Sequence, residues 1–238
     1  MKVGLIQTRG IGDIIIAAPI AKHFSDAGHT VLWPVDSDFF EFVQEAFPYV
    51  SFIPVEAQSF PKTSLEYFYL HPLQVLTELG CECIFSLYSY LSGLDIVNEG
   101  LARSLKFDEY KYAVAGVPFS NKWELKLNRN LQRETALLTS LGITRPYLVV
   151  HDTGSNFNVQ INLPEDLVSA FQVVRISQVT SNPFDWLSVL EGATYFIGVD
   201  SCFSNLVDQL NLCEHKFLFL RSEIKATPVL KNGWRFVV

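Results

Sequence analysis

The segment that most constrains the fold is residues 193–210. It begins with the apolar run Tyr195 to Val199, whose length and aromatic and β-branched content are typical of a strand buried on both faces. Asp200 and Ser201, two favourable helix N-cap residues, follow directly. Apolar residues then recur at helical spacing: Phe203, Leu206, Val207 and Leu210. The segment therefore predicts a strand, a tight turn and a helix.

The polar turn of this segment has two interpretations. In an open α/β sheet it lies at the carboxyl end of a strand, where ligands usually bind, and the exposed N–H groups of a helix start favour a phosphate. In the simpler interpretation Asp200 or Ser201 only caps an ordinary strand–helix junction. Taken alone, the segment favours the simpler one.

The same alternation of strands and helices runs through the whole chain of 238 residues. The predicted strands are 3–6, 29–33, 50–55, 83–87, 147–150, 173–176, 195–199, 216–220 and 234–238. The predicted helices are 13–26, 39–47, 63–79 with Pro72 kinking or splitting it, 123–141, 164–171 and 183–190. For residues 91–114, which show no strong periodicity, the sequence predicts a loop with one short helix. This βαβαβ order is typical of doubly wound parallel sheets.

The element order predicts two Rossmann-like domains, each opening with a strand and a glycine-containing loop. Residues 1–120 form the first and residues 146–238 the second, with a connecting helix in 121–145. The two halves are expected to face each other across a cleft.

Charge and hydropathy exclude several classes of partner. The formal net charge of −7, without any Lys/Arg-rich run, argues against nucleic acid. The longest apolar run, Ile14 to Ala21, is too short to span a bilayer, and the N-terminus does not read as a signal peptide. Four cysteines without zinc-site spacing demand no disulfide. We therefore expect a cytoplasmic protein, with weak peripheral membrane association left open.

The first glycine loop, Arg9 to Asp13, gives only a partial dinucleotide-binding pattern because Ile15 stands at the third glycine position. Asp13 opens a helix that is apolar on nearly every side. It has two interpretations: a carboxylate that stabilises the helix start, or a general base. Beside apolar walls and away from cations, it would suit removal of a proton from a substrate hydroxyl.

The loop Thr153-Gly154-Ser155 follows the first strand of the second half. Small hydroxyl residues and a glycine allow close approach to an anion, although a plain surface turn has the same composition. His151 precedes this loop, and a lone histidine at a strand end is more often structural than catalytic.

Together these elements resemble the heptosyltransferase-like glycosyltransferases of the GT-B fold, which act in bacterial lipopolysaccharide assembly. Three patches carry the resemblance. Residues 9–19 are similar to the family's opening Gly-Asp loop, apolar helix and proline. Residues 151–155, with Leu163-Pro164 downstream, are similar to the loop that opens its C-terminal domain. Residues 196–201, Phe-Ile-Gly-Val-Asp-Ser, look like its Gly-x-Asp-[Ser/Thr] donor site.

The resemblance implies an inverting, metal-independent transfer of a sugar from a nucleotide-activated donor to a hydroxyl of a glycan or glycolipid. Asp13 is then the catalytic base. The implied donor-binding residues are Gly12, Thr153, Gly154, Ser155, Asp200, Ser201, Ser204 and Asn205. No cofactor beyond the nucleotide-sugar substrate is expected, and the sequence has no Asp-x-Asp motif to hold a metal.

The sequence also departs from the family pattern. Cys202 stands where the family usually has glycine, and Asn205 where it has histidine. Residues 156–162 carry none of the basic residues that neutralise the donor diphosphate, a role for which Arg9 and Arg221 are alternatives. Two other functions stay open: a catalytically silent nucleotide- or partner-binding module of GT-B type, and a sugar-nucleotide epimerase or NAD-dependent enzyme.

Overall fold

The computed structural model describes residues 1–56, 60–90, 97–154, 157–220, 226–231 and 233–237. The chain divides into two compact units, Met1–Asn128 and Arg129–Val238. Each unit is built on one parallel sheet, so the predicted α/β fold with two Rossmann-like sheets is confirmed. The division falls inside the segment predicted to connect the two domains. Within the described ranges, every helix is too short or too polar to cross a membrane.

Among its described residues, the first unit contains a four-stranded sheet and five α-helices. The strands are β1 (Lys2–Ile6), β2 (Thr30–Asp36), β3 (Ser51–Val55) and β4 (Cys83–Ser86). The helices are α1 (Ile11–Asp26), α2 (Ser37–Ala46), α3 (His71–Glu78), α4 (Glu99–Ser104) and α5 (Phe107–Ala115). A π-helical turn (Glu66–Leu70) precedes α3, and a 3-10 turn (Phe119–Trp123) follows α5. The strand order β3-β2-β1-β4 puts β1 inside the sheet.

Burial explains why β1 and α1 form the centre of this unit. Val3, Leu5 and Ile6 of β1 are fully buried, and every residue of α1 from Ile14 to Ala21 is buried. The apolar composition predicted a buried helix, and α1 packs against α5 and β2. The first turn of α1 therefore lies directly after the carboxyl end of β1.

Three local predictions in this unit need correction. Helix α1 starts at Ile11, two residues before the predicted start, because Gly10 leaves the loop in the left-handed region, at φ +84°. Residues 66–78 form a π-helical turn that runs directly into α3, because Pro72 has no N–H for a helical hydrogen bond to the turn before it. Residues 97–114 contain two helices, α4 and most of α5, where one was predicted.

In the part that the structure describes, the second unit contains a five-stranded sheet and four α-helices. Its strands are β5 (Tyr147–His151), β6 (Gln172–Arg175), β7 (Tyr195–Val199), β8 (His215–Phe219) and β9 (Trp234–Val237). Its helices are α6 (Leu131–Ser140), α7 (Glu165–Ala170), α8 (Leu187–Glu191) and α9 (Cys202–Gln209). The strand order is β6-β5-β7-β8-β9. The predicted helix 123–141 is shortened to α6 because the Asn130 side chain caps it, accepting from the N–H of Arg133 at 3.1 Å.

The register of the second sheet sets two loops side by side. β5 is buried along its whole length and pairs in parallel with β7, with His151 opposite Gly198. A Cβ on Gly198 would lie 3.2 Å from the carbonyl oxygen of His151 and 2.8 Å from the ring of Phe196. The absence of a side chain there allows the carboxyl ends of the two strands to approach closely, as the predicted strand–turn–helix segment requires.

Candidate functional site

In the first unit, Gly12 and Asp13 lie in the first turn of α1. The Asp13 carboxylate folds back over the preceding loop, so that a Cβ on Gly10 would lie only 2.7 Å from its Oδ2. The Asp13 side chain is 35% exposed, whereas Ile14 and the residues after it are buried. The structure thus places a partly accessible carboxylate at the carboxyl end of β1.

A buried cation lies against this carboxylate. Lys111, on α5, places its Nζ 3.0 Å from Asp13 Oδ1, and its side chain is only 3% exposed. The expectation that Asp13 stands away from cations is therefore wrong. Sequence reasoning missed Lys111 because it assigned this region mostly to a loop. The available signal was a lysine inside the helix-compatible aromatic run from Tyr110 to Tyr112.

Arg9, an alternative diphosphate partner by sequence, is engaged within the first unit. Its Nε lies 3.1 Å from Asp36 Oδ2, a charge contact rather than an aligned hydrogen bond. Its Nη1 donates to the carbonyl oxygen of Lys62 at 3.1 Å. The Lys62 ammonium in turn pairs with Asp36 at 2.9 Å and with Asp38. The fully buried Asp36 therefore already has two cationic partners.

The Tyr88 hydroxyl fixes the start of the same loop. It accepts from the backbone N–H of Thr8 at 2.9 Å and of Arg9 at 3.4 Å. Burial, together with the nearby charge of Asp13, raises the pKa of Tyr88, so the phenol stays protonated at neutral pH. The loop that precedes Asp13 is consequently held by Tyr88, which follows β4, and by Asp36 at the end of β2.

The second unit brings together the two loops predicted to hold a donor. The loop after β5 is a tight hairpin in which Thr153 bridges Asn158, and the N–H of Gly154 donates to the carbonyl oxygen of Phe157 at 2.8 Å. The ring of Phe157 lies 1.9 Å from the place that a Cβ on Gly154 would occupy, so any larger residue there would displace this ring. Ser155 lies outside the described residues.

The loop after β7 ends in a capped helix. Ser201 is the N-cap of α9: its Oγ accepts from the N–H of Ser204 at 3.4 Å, and its own N–H donates to Ser204 Oγ at 2.9 Å. This reciprocal pair is a capping box with serine in place of the usual Glu or Gln. The Ser204 hydroxyl is fully buried and also donates to the carbonyl oxygen of Ser201. Asp200 precedes the cap and is half-buried.

Two side chains distinguish the first turn of α9. Asn205 is 3% exposed, and its Oδ1 accepts no hydrogen bond from the described part of the protein. Buried polar atoms without partners are rare, so this oxygen is a strong candidate for a ligand contact. Burial raises the pKa of the Cys202 thiol to about 12, against an opposing effect of backbone N–H groups, so the residue is an uncharged thiol at neutral pH.

His151 is structural in this arrangement. Its ring packs edge-on against Phe203 of α9, with the ring centroids 4.7 Å apart, and its Nδ1 has no hydrogen-bond partner among the residues described. Burial lowers the pKa of His151 to about 4, although the charge of Asp152 opposes the shift. A neutral, packed imidazole joins β5 to α9 and thereby keeps the two loops together.

A cation that sequence reasoning missed lies beside the first loop. Arg175, at the carboxyl end of β6, pairs its Nη1 with Asp152 Oδ2, and its side chain is 48% exposed. Arg221, the other predicted diphosphate partner, lies outside the described residues. In the part of the chain that the structure describes, no group of three His, Cys, Asp or Glu side chains is arranged to hold a metal ion.

Solved structures share this fold over nearly the whole chain. A glycosyltransferase family 9 protein from Veillonella parvula matches with a TM-score of 0.67 and 10% identity, covering 99% of this chain and 86% of its own. The E. coli ADP-heptose LPS heptosyltransferase II matches with a TM-score of 0.64 and 10% identity, covering 100% and 90%. The E. coli heptosyltransferase WaaC with ADP matches with a TM-score of 0.58 and 13% identity, covering 99% and 92%.

No protein-family model matches the sequence, and no curated protein matches it either. At identities of 10–13% the structural likeness establishes the fold, an α/β architecture of two parallel-sheet units like that of GT-B glycosyltransferases. The chemistry is argued below from the residues themselves.

Proposed function

We propose that this protein is a glycosyltransferase that moves a sugar from a nucleoside-diphosphate donor to a hydroxyl of a glycan or glycolipid. The observation that carries the proposal is the carboxyl edge of the second sheet, where the glycine hairpin after β5 lies beside the capped start of α9. This edge is where open α/β sheets bind ligands, and a helix start favours phosphate. The fold neighbour WaaC, whose structure contains ADP, supports the choice of a nucleotide.

In the proposed reaction, the acceptor oxygen attacks the anomeric carbon of the donor as the bond to the diphosphate breaks, with inversion. The proton of the acceptor hydroxyl goes to Asp13. Backbone N–H groups at the start of α9 stabilise the leaving diphosphate, and Asn205 Oδ1 accepts a hydrogen bond from a donor group of the nucleotide, such as a ribose hydroxyl. A cytoplasmic location stays a prediction.

Nucleotide binding is the first test. Titration calorimetry with ADP, and then with GDP, UDP and CDP, should find at least one ligand that binds below millimolar concentration. Asn205→Leu should weaken that binding. Gln209→Leu is the matched control, because Gln209 is also buried at 4% exposure with an unpartnered amide, but lies one turn further along α9. Failure of all four nucleotides to bind would remove the main support for the proposal.

The role of Asp13 is the second test. Asp13→Asn keeps the size of the side chain but accepts no proton at neutral pH, so turnover should fall by roughly 10²–10⁴ while nucleotide binding is unchanged. Release of ADP from ADP-heptose provides a first assay, because the solved neighbours include complexes with that donor class. Near wild-type turnover by Asp13→Asn would show that the base lies elsewhere.

The charge partner of the diphosphate is a third question. Arg9 and Arg221 were predicted from sequence, and the position of Arg175 beside the first loop adds a candidate. Replacing the true partner by alanine should weaken ADP binding by about 1.5–3 kcal/mol and leave adenosine binding almost unchanged. Equal losses for both ligands would assign that arginine to the fold instead.

Metal independence follows from the proposed use of N–H groups and arginines against the diphosphate. Transfer should therefore continue at an unchanged rate in EDTA, and a loss restored by Mg²⁺ or Mn²⁺ would contradict this part of the proposal. The lack of a basic residue in 156–162 favours one alternative, a catalytically silent nucleotide-binding module. Such a module would bind ADP with no turnover of any donor.

A further inference from the structure

We propose that Lys111 is a positioning residue for the catalytic carboxylate, an inference that rests on the proposed role of Asp13. The Lys111 ammonium is almost fully buried and lies 3.0 Å from Asp13 Oδ1. It connects α5 to the first turn of α1, although Lys111 and Asp13 are 98 positions apart in the sequence.

The ammonium is fixed by two neutral acceptors in addition to Asp13. Lys111 Nζ donates to Gln7 Oε1 at 2.7 Å and to the carbonyl oxygen of Leu87 at 3.0 Å. Gln7 is itself held, because its Nε2 donates to the carbonyl oxygen of Arg9 at 2.7 Å. Two hydrogen bonds and the ion pair with Asp13 therefore hold the ammonium in place. A buried charge is tolerated only when it is paired and hydrogen-bonded in this way.

The position of the ammonium gives the two oxygens of Asp13 different tasks. Oδ1 faces Lys111, and Oδ2 lies over Gly10. The described residues offer no hydrogen bond to Oδ2, and the Asp13 side chain remains 35% exposed. Oδ2 is then the oxygen that receives the proton, while Lys111 holds the carboxylate in the required orientation.

A double-mutant cycle with Asp13→Asn tests this role. Lys111→Met should lower kcat for ADP release from ADP-heptose, with water as acceptor, by 10- to 100-fold and leave the Kd for ADP unchanged. In the Asp13→Asn background the same change should have almost no further effect on kcat, because a positioning residue acts only through the group that it positions. Lys111→Arg, which keeps the charge, should recover part of the rate.

Lys122→Met is the matched control. Lys122 is also a fully buried lysine of the first unit, but its ammonium pairs with Asp108 at 2.7 Å rather than with Asp13. Any loss of kcat that it causes should be the same factor in both backgrounds. If Lys111→Met lowers kcat by the same factor in the wild type and in Asp13→Asn, Lys111 serves the fold alone and the inference is overturned.

The test separates this inference from the proposed function. If the wild-type protein releases ADP from no sugar nucleotide, the proposed function fails. Thermal melts then test on their own whether Lys111 and Asp13 are coupled. Lys111→Met should lower Tm more in the wild type than in Asp13→Asn, whereas equal shifts overturn the inference. If Lys111→Met does not fold, Lys111→Gln, which keeps a polar group in the buried site, enters the same cycles.

Discussion

At the residue scale, two glycines with nearly the same φ angle isolate the packing around Asp13. Gly10 has φ +84° and Gly28 has φ +80°, so alanine at either position adopts an unfavourable left-handed conformation, which costs about 1–2 kcal/mol. Only at Gly10 would the new Cβ meet another group, Asp13 Oδ2 at 2.7 Å, whereas Gly28 has open space around it. Chemical unfolding should therefore show a larger loss for Gly10→Ala than for Gly28→Ala. Equal losses would mean that the carboxylate moves aside freely.

The buried imidazole of His151 predicts a pH dependence of stability. Its pKa is lowered from 6.5 to about 4, chiefly by burial, so the unfolded chain binds more protons than the folded one between these values. The free energy of unfolding therefore rises with pH across this window and decreases as pH falls from 6.5 towards 4. At roughly 1.4 kcal/mol per pH unit the loss is about 2–3 kcal/mol.

Denaturant titrations of the wild type and of His151→Phe between pH 4 and 7 measure this effect. Because carboxylates titrate in the same range, the quantity of interest is the difference between the two proteins. We expect the wild type to lose stability relative to His151→Phe as the pH falls. Parallel curves would show that the imidazole remains accessible to protons in the folded state.

At the element scale, the cap of α9 is expected to shape the ligand site and not only the helix. Ser201→Ala removes the Oγ acceptor of the capping box, which should destabilise the protein by about 1 kcal/mol and also weaken ADP binding. Asn130→Ala removes the cap of α6 in the same unit and is the control, with a similar loss of stability and unchanged ADP affinity. Calorimetric titration of both variants distinguishes the two effects. Equal affinities would place the ligand away from the start of α9.

The elements that sequence predicted correctly are those whose own residues determine them. β7 and α9 follow from an apolar run, a cap and helical periodicity, and the structure shows each where the pattern placed it. α5 was not placed by the sequence pattern because two of its charged residues point inward. Its Asp108 and Lys111 are buried in ion pairs with residues distant in sequence. A periodicity argument treats such residues as solvent-facing, and only tertiary contacts reveal the partners.

The candidate site divides in the same way. The cap at Ser201 was predicted from the sequence because capping is a local property, whereas the contact of Gly154 with the Phe157 ring was not. The predicted environment of Asp13 was wrong because the cation that pairs with it, Lys111, comes from α5. The unpartnered oxygen of Asn205 was also beyond prediction, since its burial depends on packing that the sequence does not display.

At the scale of the whole molecule, the two parallel sheets resemble those of proteins only 10–13% identical in sequence. A buried parallel strand requires apolar residues and short connections rather than particular side chains. Many sequences can therefore build the same pair of sheets, and function depends on the few residues at the strand ends. In this chain the candidate residues fall into two sets, one in each compact unit.

This division predicts an uneven response to a nucleotide. If ADP binds the second unit, hydrogen exchange should slow at backbone amides of 152–154 and 200–205, because a ligand that binds only the folded state stabilises the segments it contacts. At 100 times Kd the added stability is about 2.7 kcal/mol for those amides that exchange by unfolding of the bound unit. Amides of β2 and β3 in the first unit provide the internal reference and should exchange at unchanged rates.

The variants proposed above sharpen this measurement. In Asn205→Leu the protection of 200–205 should be lost at ADP concentrations that still protect the Gln209→Leu control, because only Asn205 offers its unpartnered oxygen within the first turn of α9. Protection that appears first around Gly10 to Asp13 would contradict the assignment. It would place the nucleotide on the first unit, where the Arg9 and Lys111 cations lie, and would leave the second sheet edge for the acceptor.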